Sequence, residues 1–147
     1  MPKELKANIL LVVDEEKFLK ALSRRLQEHG LKVDTSTSEG DALKRVKNKD
    51  FDAIILDFVM PGADSIKTLR RIRSKNPELQ IIMITGHSTV EKGVEAMKAG
   101  AVDFLDGPVD LNKLLDKIAE AQRRKILIIE KKHEKRIKEI LRSKSWD

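Results

Sequence analysis

The 147-residue sequence contains no cysteine and no tyrosine, and only one tryptophan, four phenylalanines and three histidines. Without cysteine the chain has no disulfide framework, no thiolate zinc or iron–sulfur site and no thiol nucleophile. The three histidines are too dispersed along the chain for a histidine-based metal cluster. The scarcity of aromatic side chains argues against a stacking platform for single-stranded nucleic acid.

Long apolar runs are also missing from the sequence. The longest, Ile9 to Val13, is far shorter than the roughly 20 residues that span a bilayer. No apolar stretch follows a basic start at the amino terminus, so the sequence does not predict a signal peptide. Together these absences predict a soluble, cytoplasmic protein without a transmembrane segment.

The net charge of +6 is distributed unevenly along the chain. Residues 123–147 hold 10 of the 30 basic side chains but only four of the 24 acidic ones, which leaves 20 of each in residues 1–122. The positive excess therefore belongs to the last segment, and it does not make the rest of the chain a nucleic-acid binder. We predict a domain over residues 1–122 and a basic amphipathic helical extension over residues 123–147.

Short apolar segments alternate with segments of helical periodicity within residues 1–122. The apolar segments predict buried strands at Asn8–Val13, Leu31–Thr35, Phe51–Leu56, Leu79–Ile84 and Ala101–Leu105. The fourth helical segment is predicted to pack on the sheet through Val90, Val94 and Met97. Caps are predicted at Ser38, at Ser88 or Thr89, and at Asp110. Because parallel strands need helical crossovers, this order predicts an α/β fold: a doubly wound, five-stranded parallel sheet of five βα units.

Acidic and hydroxyl side chains follow three of the predicted strands. Asp14 and Glu15 follow the first strand, Asp57 the third and Thr85 the fourth. The carboxyl ends of parallel strands meet at one edge of a sheet, so we expect these residues to be neighbours. A hard cation such as Mg²⁺ would relieve the repulsion between carboxylates, and Asp57 is then a candidate nucleophile toward a phosphoryl group. The alternative is that each acid caps the helix that follows it.

Four motifs resemble those of two-component response-regulator receiver domains. They are Ile9-Leu-Leu-Val-Val-Asp-Glu-Glu16, Ile55-Leu-Asp-Phe-Val-Met-Pro-Gly62, Ile81-Ile-Met-Ile-Thr-Gly86 and Gly100-Ala-Val-Asp-Phe-Leu105. They stand in the family's order and spacing, and the similarity covers about residues 7–122. The resemblance implies a CheY-like, flavodoxin-like fold and a bacterial-type phosphorelay protein whose partner is a histidine kinase or phosphotransfer protein.

The resemblance also implies a phosphoacceptor and a metal site. Asp57 matches the phosphoacceptor, and Asp14, Glu15, Asp57 and the backbone carbonyl of Val59 match the ligands of Mg²⁺ or Mn²⁺. The family more often has aspartate where this chain has Glu15. Because glutamate is one methylene longer, the ion would shift or be held through water.

Three positions of the implied switch complete the resemblance. Thr85 matches the hydroxyl that bonds the phosphoryl group, and Phe104 matches the aromatic switch residue, with ordinary packing at a strand end as the alternative. Gly107 stands where the family has a lysine that pairs with the phosphoryl oxygens, which predicts a weakened switch. Lys92 on the preceding helix stays open as a substitute for it. The family also implies a cis peptide bond before Pro108.

Neither glycine nor proline interrupts residues 111–143, which predicts one long helix. A stripe of apolar or neutral residues runs along it: Leu115, Ile118, Gln122, Ile126, Ile129, His133, Ile137, Ile140 and Leu141. Three interpretations stay open: pairing with a second copy or a partner helix through residues 111–143, a solvated or folded-back helix, and contact with nucleic acid or an acidic membrane. We expect no nucleic-acid partner, because the segment resembles no DNA-binding module.

The sequence therefore predicts a phosphorylation-controlled interaction module that is not a turnover enzyme. Because Gly107 lacks a side chain, the alternative is a phosphorylation-independent pseudo-receiver that acts as a scaffold or dimerisation module. A Mg²⁺-dependent phosphohydrolase with an aspartate nucleophile is less favoured. Such enzymes usually have a general acid two residues past the nucleophile, where this chain has Val59.

Overall fold

The computed structural model describes residues 5–58, 60, 64–85 and 90–144, and strands and helices alternate along them five times. The strands are β1 (Asn8–Val12), β2 (Lys32–Ser36), β3 (Ala53–Asp57), β4 (Ile81–Thr85) and β5 (Asp103–Asp106). The helices are α1 (Glu16–Glu28), α2 (Glu39–Asn48), α3 (Ser65–Lys75), α4 (Val90–Ala99) and α5 (Leu111–Ser143). The predicted five βα units and the long last helix are confirmed.

The strands form one parallel sheet in the order β2-β1-β3-β4-β5. Alternate residues of the central strands face opposite layers, as the pleat requires. Ile9 and Leu11 of β1 pack with α1 and α5, whereas Leu10 and Val12 pack with α2, α3 and α4. The sheet is thus buried on both faces, which is why its strands read as continuous apolar runs.

Four of the predicted strands begin before the observed ones. Phe51, Leu79 and Ala101 were included in the predicted strands, but they lie in the segments that lead into β3, β4 and β5. All three are buried. Apolar residues indicate burial and not strand pairing. The buried residues that precede a strand were therefore included in the predicted strand.

Helix α4 packs on the sheet through a different face from the predicted one. Val90, Val94 and Met97 are exposed, and Val90 is 84% accessible. The buried residue is Ala96, and a Cβ built on Gly93 would lie 3.5 Å from the Phe104 ring. The prediction was wrong because the helix lies close to the body through its small residues, which leaves its large apolar residues outside.

Helix α5 packs on one face of the sheet through its first half and continues past it. Asp110 caps its start by accepting from the backbone N–H groups of Asn112 and Lys113, as predicted. Leu114, Leu115, Ile118 and Ala121 are buried against the sheet. Ile126, Leu127, Ile137, Ile140 and Leu141 are exposed. No helix in the described part of the chain is long and apolar enough to cross a membrane.

Candidate functional site

Asp57 lies at the centre of the carboxyl edge of the sheet. It ends β3, where it pairs with Ile84 of β4, and the neighbouring strand β1 ends one pair earlier, at Val12 opposite Leu56. This register brings Asp14, two residues past Val12, to the same edge. Asp57 is half-buried and Asp14 is exposed. Asp14 thus follows β1 and Asp57 ends the adjacent strand β3.

Glu15 does not join the two aspartates. Its carboxylate caps α1, accepting from the backbone N–H of Lys17 at 3.1 Å and of Phe18 at 2.6 Å. A carboxylate at this position satisfies amide groups that have no partner within the helix and lies at the positive end of the helix dipole. For Glu15 the helix-capping alternative is therefore the observed role.

The carboxyl edge holds a partial set of metal ligands. Among the described residues, no three acidic or histidine side chains are placed to hold one metal ion, and the Glu15 carboxylate is engaged with α1. The carboxylate oxygens of Asp14 and Asp57 are donors of the kind that Mg²⁺ prefers, so these two residues fit such an ion. The predicted carbonyl ligand, Val59, lies outside the described residues, as do Gly86 and the predicted α4 caps Ser88 and Thr89.

Thr85 and Gly107 lie on the other side of Asp57. Thr85 is a buried residue at the end of β4, directly after the partner of Asp57. Its backbone carbonyl accepts a hydrogen bond from the backbone N–H of Gly107, which follows β5. The peptide bond from Gly107 to Pro108 is cis, so the predicted cis bond is confirmed. Gly107, which has no side chain, therefore lies at the same edge as Thr85.

A small aromatic cluster lies beside Asp57, and the sequence did not predict it. The ring of Phe58 meets the ring of Phe104 edge-on, with 6.3 Å between centroids and 81° between planes. The ammonium of Lys92, in the first turn of α4, lies 5.3 Å from the centroid of Phe58. Phe58 follows β3 and Phe104 lies in β5, with β4 between the two strands, so only the packing of the sheet places the rings together.

The start of α3 is tied to the backbone of Asp57. The buried hydroxyl of Ser65 donates to the carbonyl of Phe58 at 2.6 Å and to that of Asp57 at 3.2 Å. Asp64 caps the same helix through the N–H groups of Ile66 and Lys67. An aspartate before an apolar helical repeat is an N-cap signal, so the start of α3 could also have been predicted from the sequence.

Two ion pairs near the two edges of the sheet shift pKa values. On α2, the hydrogen bond from Arg45 lowers the pKa of Asp41 below its ordinary value. At β5, the hydrogen bond to Asp103, at 2.8 Å, raises the pKa of Lys117 above its ordinary value of 10.5. Lys117 thereby ties α5 to the strand that carries Phe104.

Comparison with known proteins is consistent with these features. The sequence profile of the response regulator receiver domain matches residues 9–119. The transcriptional regulatory protein ZraR of Salmonella typhimurium is 38% identical over 116 residues, which cover 79% of this chain and 26% of ZraR. The chain thus spans about a quarter of the length of that relative.

Solved structures show the same architecture. A response regulator receiver domain protein from Clostridium thermocellum has a TM-score of 0.78 and 31% identity, covering 83% of this chain and 98% of that one. A beryllofluoride-activated NtrC4 receiver domain dimer has a TM-score of 0.75 and 35% identity, covering 80% and 98%.

Proposed function

Since the chain belongs to the response regulator receiver domain family, we propose that Asp57 accepts a phosphoryl group and that the domain signals through protein–protein contacts. The observation that carries the proposal is the place of Asp57 at the end of β3, half-buried between Asp14 and Thr85. Family membership favours this function over the phosphorylation-independent scaffold. A cytoplasmic site of action and the absence of turnover chemistry are parts of the same proposal.

The reaction is a transfer of one phosphoryl group from a phosphohistidine to Asp57. An Oδ atom of Asp57 forms a bond to phosphorus as the P–N bond breaks, and the leaving imidazole nitrogen keeps the electron pair of that bond. The products are an acyl phosphate on Asp57 and an unphosphorylated histidine on the donor protein, which is a histidine kinase or a phosphotransfer protein. The nucleophile is a carboxylate that needs no proton removed before it attacks.

Asp14 and Asp57 would hold the Mg²⁺ or Mn²⁺ ion that this transfer requires. When bound, the ion supplies positive charge that offsets the repulsion between the nucleophile and the anionic donor. The backbone carbonyl of Val59 is proposed as a further ligand. Glu15 would contribute through a water molecule, since its carboxylate caps α1.

Thr85 and Phe104 are proposed to respond to the new phosphoryl group. Thr85 ends the strand next to Asp57, and its hydroxyl would hydrogen-bond a phosphoryl oxygen. Phe104 lies at the middle of β5 and contacts Phe58, so it would follow changes at the end of β3. Because Gly107 offers no side chain, the conformational response should be smaller than in a domain with a lysine there.

The test is Mg²⁺-dependent phosphorylation by a small-molecule phosphodonor, followed by intact-mass spectrometry. The wild type should gain the mass of one phosphoryl group, and Asp57→Asn should gain none. Asp106→Asn, which removes an exposed carboxylate at the same edge, is the matched control and should be labelled like the wild type. Equal labelling of Asp57→Asn and the wild type would show that the proposed phosphoacceptor is wrong.

We also propose that residues 111–143 form a helical interface with a second copy of the chain. The exposed residues Ile126, Ile137 and Ile140 continue the face that Leu115 and Ile118 bury against the sheet. Sedimentation equilibrium should detect a concentration-dependent dimer, which Ile137→Glu weakens. Lys135→Glu is the control, since two residues along a helix turn the side chain by about 200° to the opposite face. A wild type that stays monomeric would rule this interface out.

A further inference from the structure

We propose that Ser65 is a positioning residue for the phosphoacceptor, because its hydroxyl fixes the backbone from which the Asp57 side chain projects. The proposal rests on phosphorylation of Asp57 and adds a residue to the support of that site. Ser65 is the first residue of α3, eight positions past Asp57. It acts on the reaction through the backbone of Asp57 and not through a contact with the donor.

Two hydrogen bonds join the Ser65 hydroxyl to the end of β3. The Oγ atom donates to the backbone carbonyl of Phe58 at 2.6 Å and, in a three-centre arrangement, to that of Asp57 at 3.2 Å. Ser65 is 4% exposed, so these bonds are shielded from water. A shielded hydrogen bond is stronger than one in solvent, and a buried carbonyl that loses its donor is costly. The hydroxyl therefore holds both carbonyls firmly.

The peptide unit between Asp57 and Phe58 is bonded at both of its polar groups. Its carbonyl oxygen accepts from Ser65 of α3, and its N–H donates to the carbonyl of Ile84 in β4 at 2.7 Å. A peptide unit is planar and rigid, so two bonds on its opposite sides determine its orientation. That orientation sets the backbone dihedral angle ψ of Asp57, and with it the direction in which the carboxylate leaves the strand.

Ser65 is itself held in place by the start of α3. The carboxylate of Asp64 caps the helix by accepting from the N–H groups of Ile66 at 3.0 Å and Lys67 at 3.3 Å. Ile66 is buried in the layer that packs on one face of the sheet. A side chain on a capped and packed helix positions a site more precisely than one on a loop. Ser65 thus couples the position of α3 to the strand end that carries Asp57.

The orientation of Asp57 matters for two properties of the site. An Oδ atom of Asp57 attacks phosphorus, and misplacement of a reacting group by about 1 Å can cost roughly 100-fold in rate. Asp57 is also one of the two carboxylates that fit Mg²⁺. Removal of a group that orients a metal ligand typically lowers metal affinity or activity by about 10–100-fold. Loss of the Ser65 hydroxyl should therefore lower both the rate of phosphoryl transfer and the affinity for the ion.

Ser65→Ala tests the proposal, because alanine removes only the hydroxyl. Isothermal titration calorimetry should show about tenfold weaker binding of Mg²⁺, and labelling by a small-molecule phosphodonor at saturating Mg²⁺ should be about tenfold slower. Ser65→Thr keeps a hydroxyl and should retain most of the affinity and the rate. Circular dichroism establishes that each variant is folded. Should Ser65→Ala not fold, Ser65→Cys gives the same comparison, since a thiol is only a weak donor.

Thr68→Val is the matched control, since it removes a second buried hydroxyl from the same helix. Thr68 is 1% exposed, and its Oγ1 atom donates to the carboxylate of Glu39 at 2.9 Å and to the carbonyl of Asp64 at 3.1 Å. Its partners therefore lie in α2 and at the start of α3. Thr68→Val should lose thermal stability as Ser65→Ala does, yet it should bind Mg²⁺ and label like the wild type.

A merely structural role of Ser65 predicts that both variants lose stability and nothing else. Weaker Mg²⁺ binding and slower labelling in Ser65→Ala, but not in Thr68→Val, support the positioning role. If Ser65→Ala binds Mg²⁺ and labels like Thr68→Val, Ser65 does not position Asp57 and the proposal is overturned. That outcome differs from failure of the proposed function, in which the wild type itself carries no label on Asp57.

Discussion

The two halves of α5 carry the same kind of apolar stripe in opposite surroundings. In the first half, Leu115 is 1% exposed and packs against the sheet with α1. In the second half, Ile137 is 57% exposed and lies beyond the domain. Both residues belong to one uninterrupted helix of 33 residues. The difference shows that the stripe encodes a helix face, whereas the extent of the sheet decides how much of that face is covered.

The spacing of the stripe makes the continuity clear. Leu115, Ile126 and Ile137 are 11 positions apart, as are Ile118, Ile129 and Ile140. Eleven residues make almost exactly three turns of an α-helix, so each set returns to the same face with little drift. A partner helix that covers the second half of α5 would contact a nearly straight apolar stripe.

The change from buried to exposed occurs at Lys125, which is itself 4% exposed. Its ammonium donates to the carbonyl of Phe51 at 2.7 Å and pairs with Asp50 at 2.8 Å. Gln122 donates to the carbonyl of Lys6 one turn earlier. These contacts lie at the segments that lead into β1 and β3, so α5 is fixed where it leaves the domain.

The largest expected difference between the two halves of α5 is the loss of unfolding free energy when a stripe residue is truncated to alanine. Leu115→Ala removes fully buried methyl groups and leaves a cavity, which should lower the free energy of unfolding by about 2–5 kcal/mol. Ile137→Ala should change it by about 0.5 kcal/mol or less in the monomer. Urea denaturation at low protein concentration measures both. Similar losses for the two variants would mean that the second half is also buried in the monomer.

Removing the charge of Lys125, where α5 leaves the domain, should have an intermediate effect on the free energy of unfolding. Lys125→Met keeps the apolar stem but leaves the carbonyl of Phe51 without its donor, which should cost about 1–3 kcal/mol of unfolding free energy. Lys138→Met removes an exposed lysine whose partner is Glu134 on the same helix, and should cost about 0.5 kcal/mol or less. Thermal and urea denaturation of both variants give the comparison, and equal costs would contradict the anchoring role of Lys125.

The smallest expected effect is a pH dependence of the free energy of unfolding, which comes from Lys117 in the first half of α5. Asp103 raises the pKa of Lys117, so this pair stabilises the fold fully below the ordinary pKa of 10.5. The contribution is lost as the pH rises through the higher folded-state pKa, because the neutral amine no longer pairs with the carboxylate. The wild type should therefore lose more stability than Lys117→Gln on going from neutral pH to above 10.5. Parallel pH profiles of the two proteins would contradict the coupling.

Much of the fold is predictable from the sequence, because burial on both faces makes the central strands continuous apolar runs. The caps at Ser38 and Asp110 and the long helix were predicted from local chemistry and are confirmed. The face of α4 that packs on the sheet was not predicted correctly, since Gly93 and Ala96 pack closely while the larger Val94 is exposed. A hydrophobicity pattern gives weight to large side chains, whereas close packing here depends on small ones.

The site was predictable in its position but less so in its details. Asp14, Asp57 and Thr85 follow from strand ends that meet at one edge, as the register shows. The capping role of Glu15 depends on how its side chain folds back on α1, which spacing along the chain does not determine. The contact between Lys92 and Phe58 joins two separate elements, so only the packed structure reveals it.

Helix α5 is attached to the domain along its first half and extends beyond it along its second half. The helix begins at Asp110, shortly after the cis bond at Pro108, beside the edge that holds Asp57. It leaves the domain at the opposite edge, where the ammonium of Lys125 donates to the carbonyl of Phe51. Ser143 lies 18 residues past Lys125, about 27 Å along the helix axis, so each degree of tilt about Lys125 displaces the far end by about 0.5 Å. A change too small to disturb the sheet can therefore become a measurable movement at Ile140.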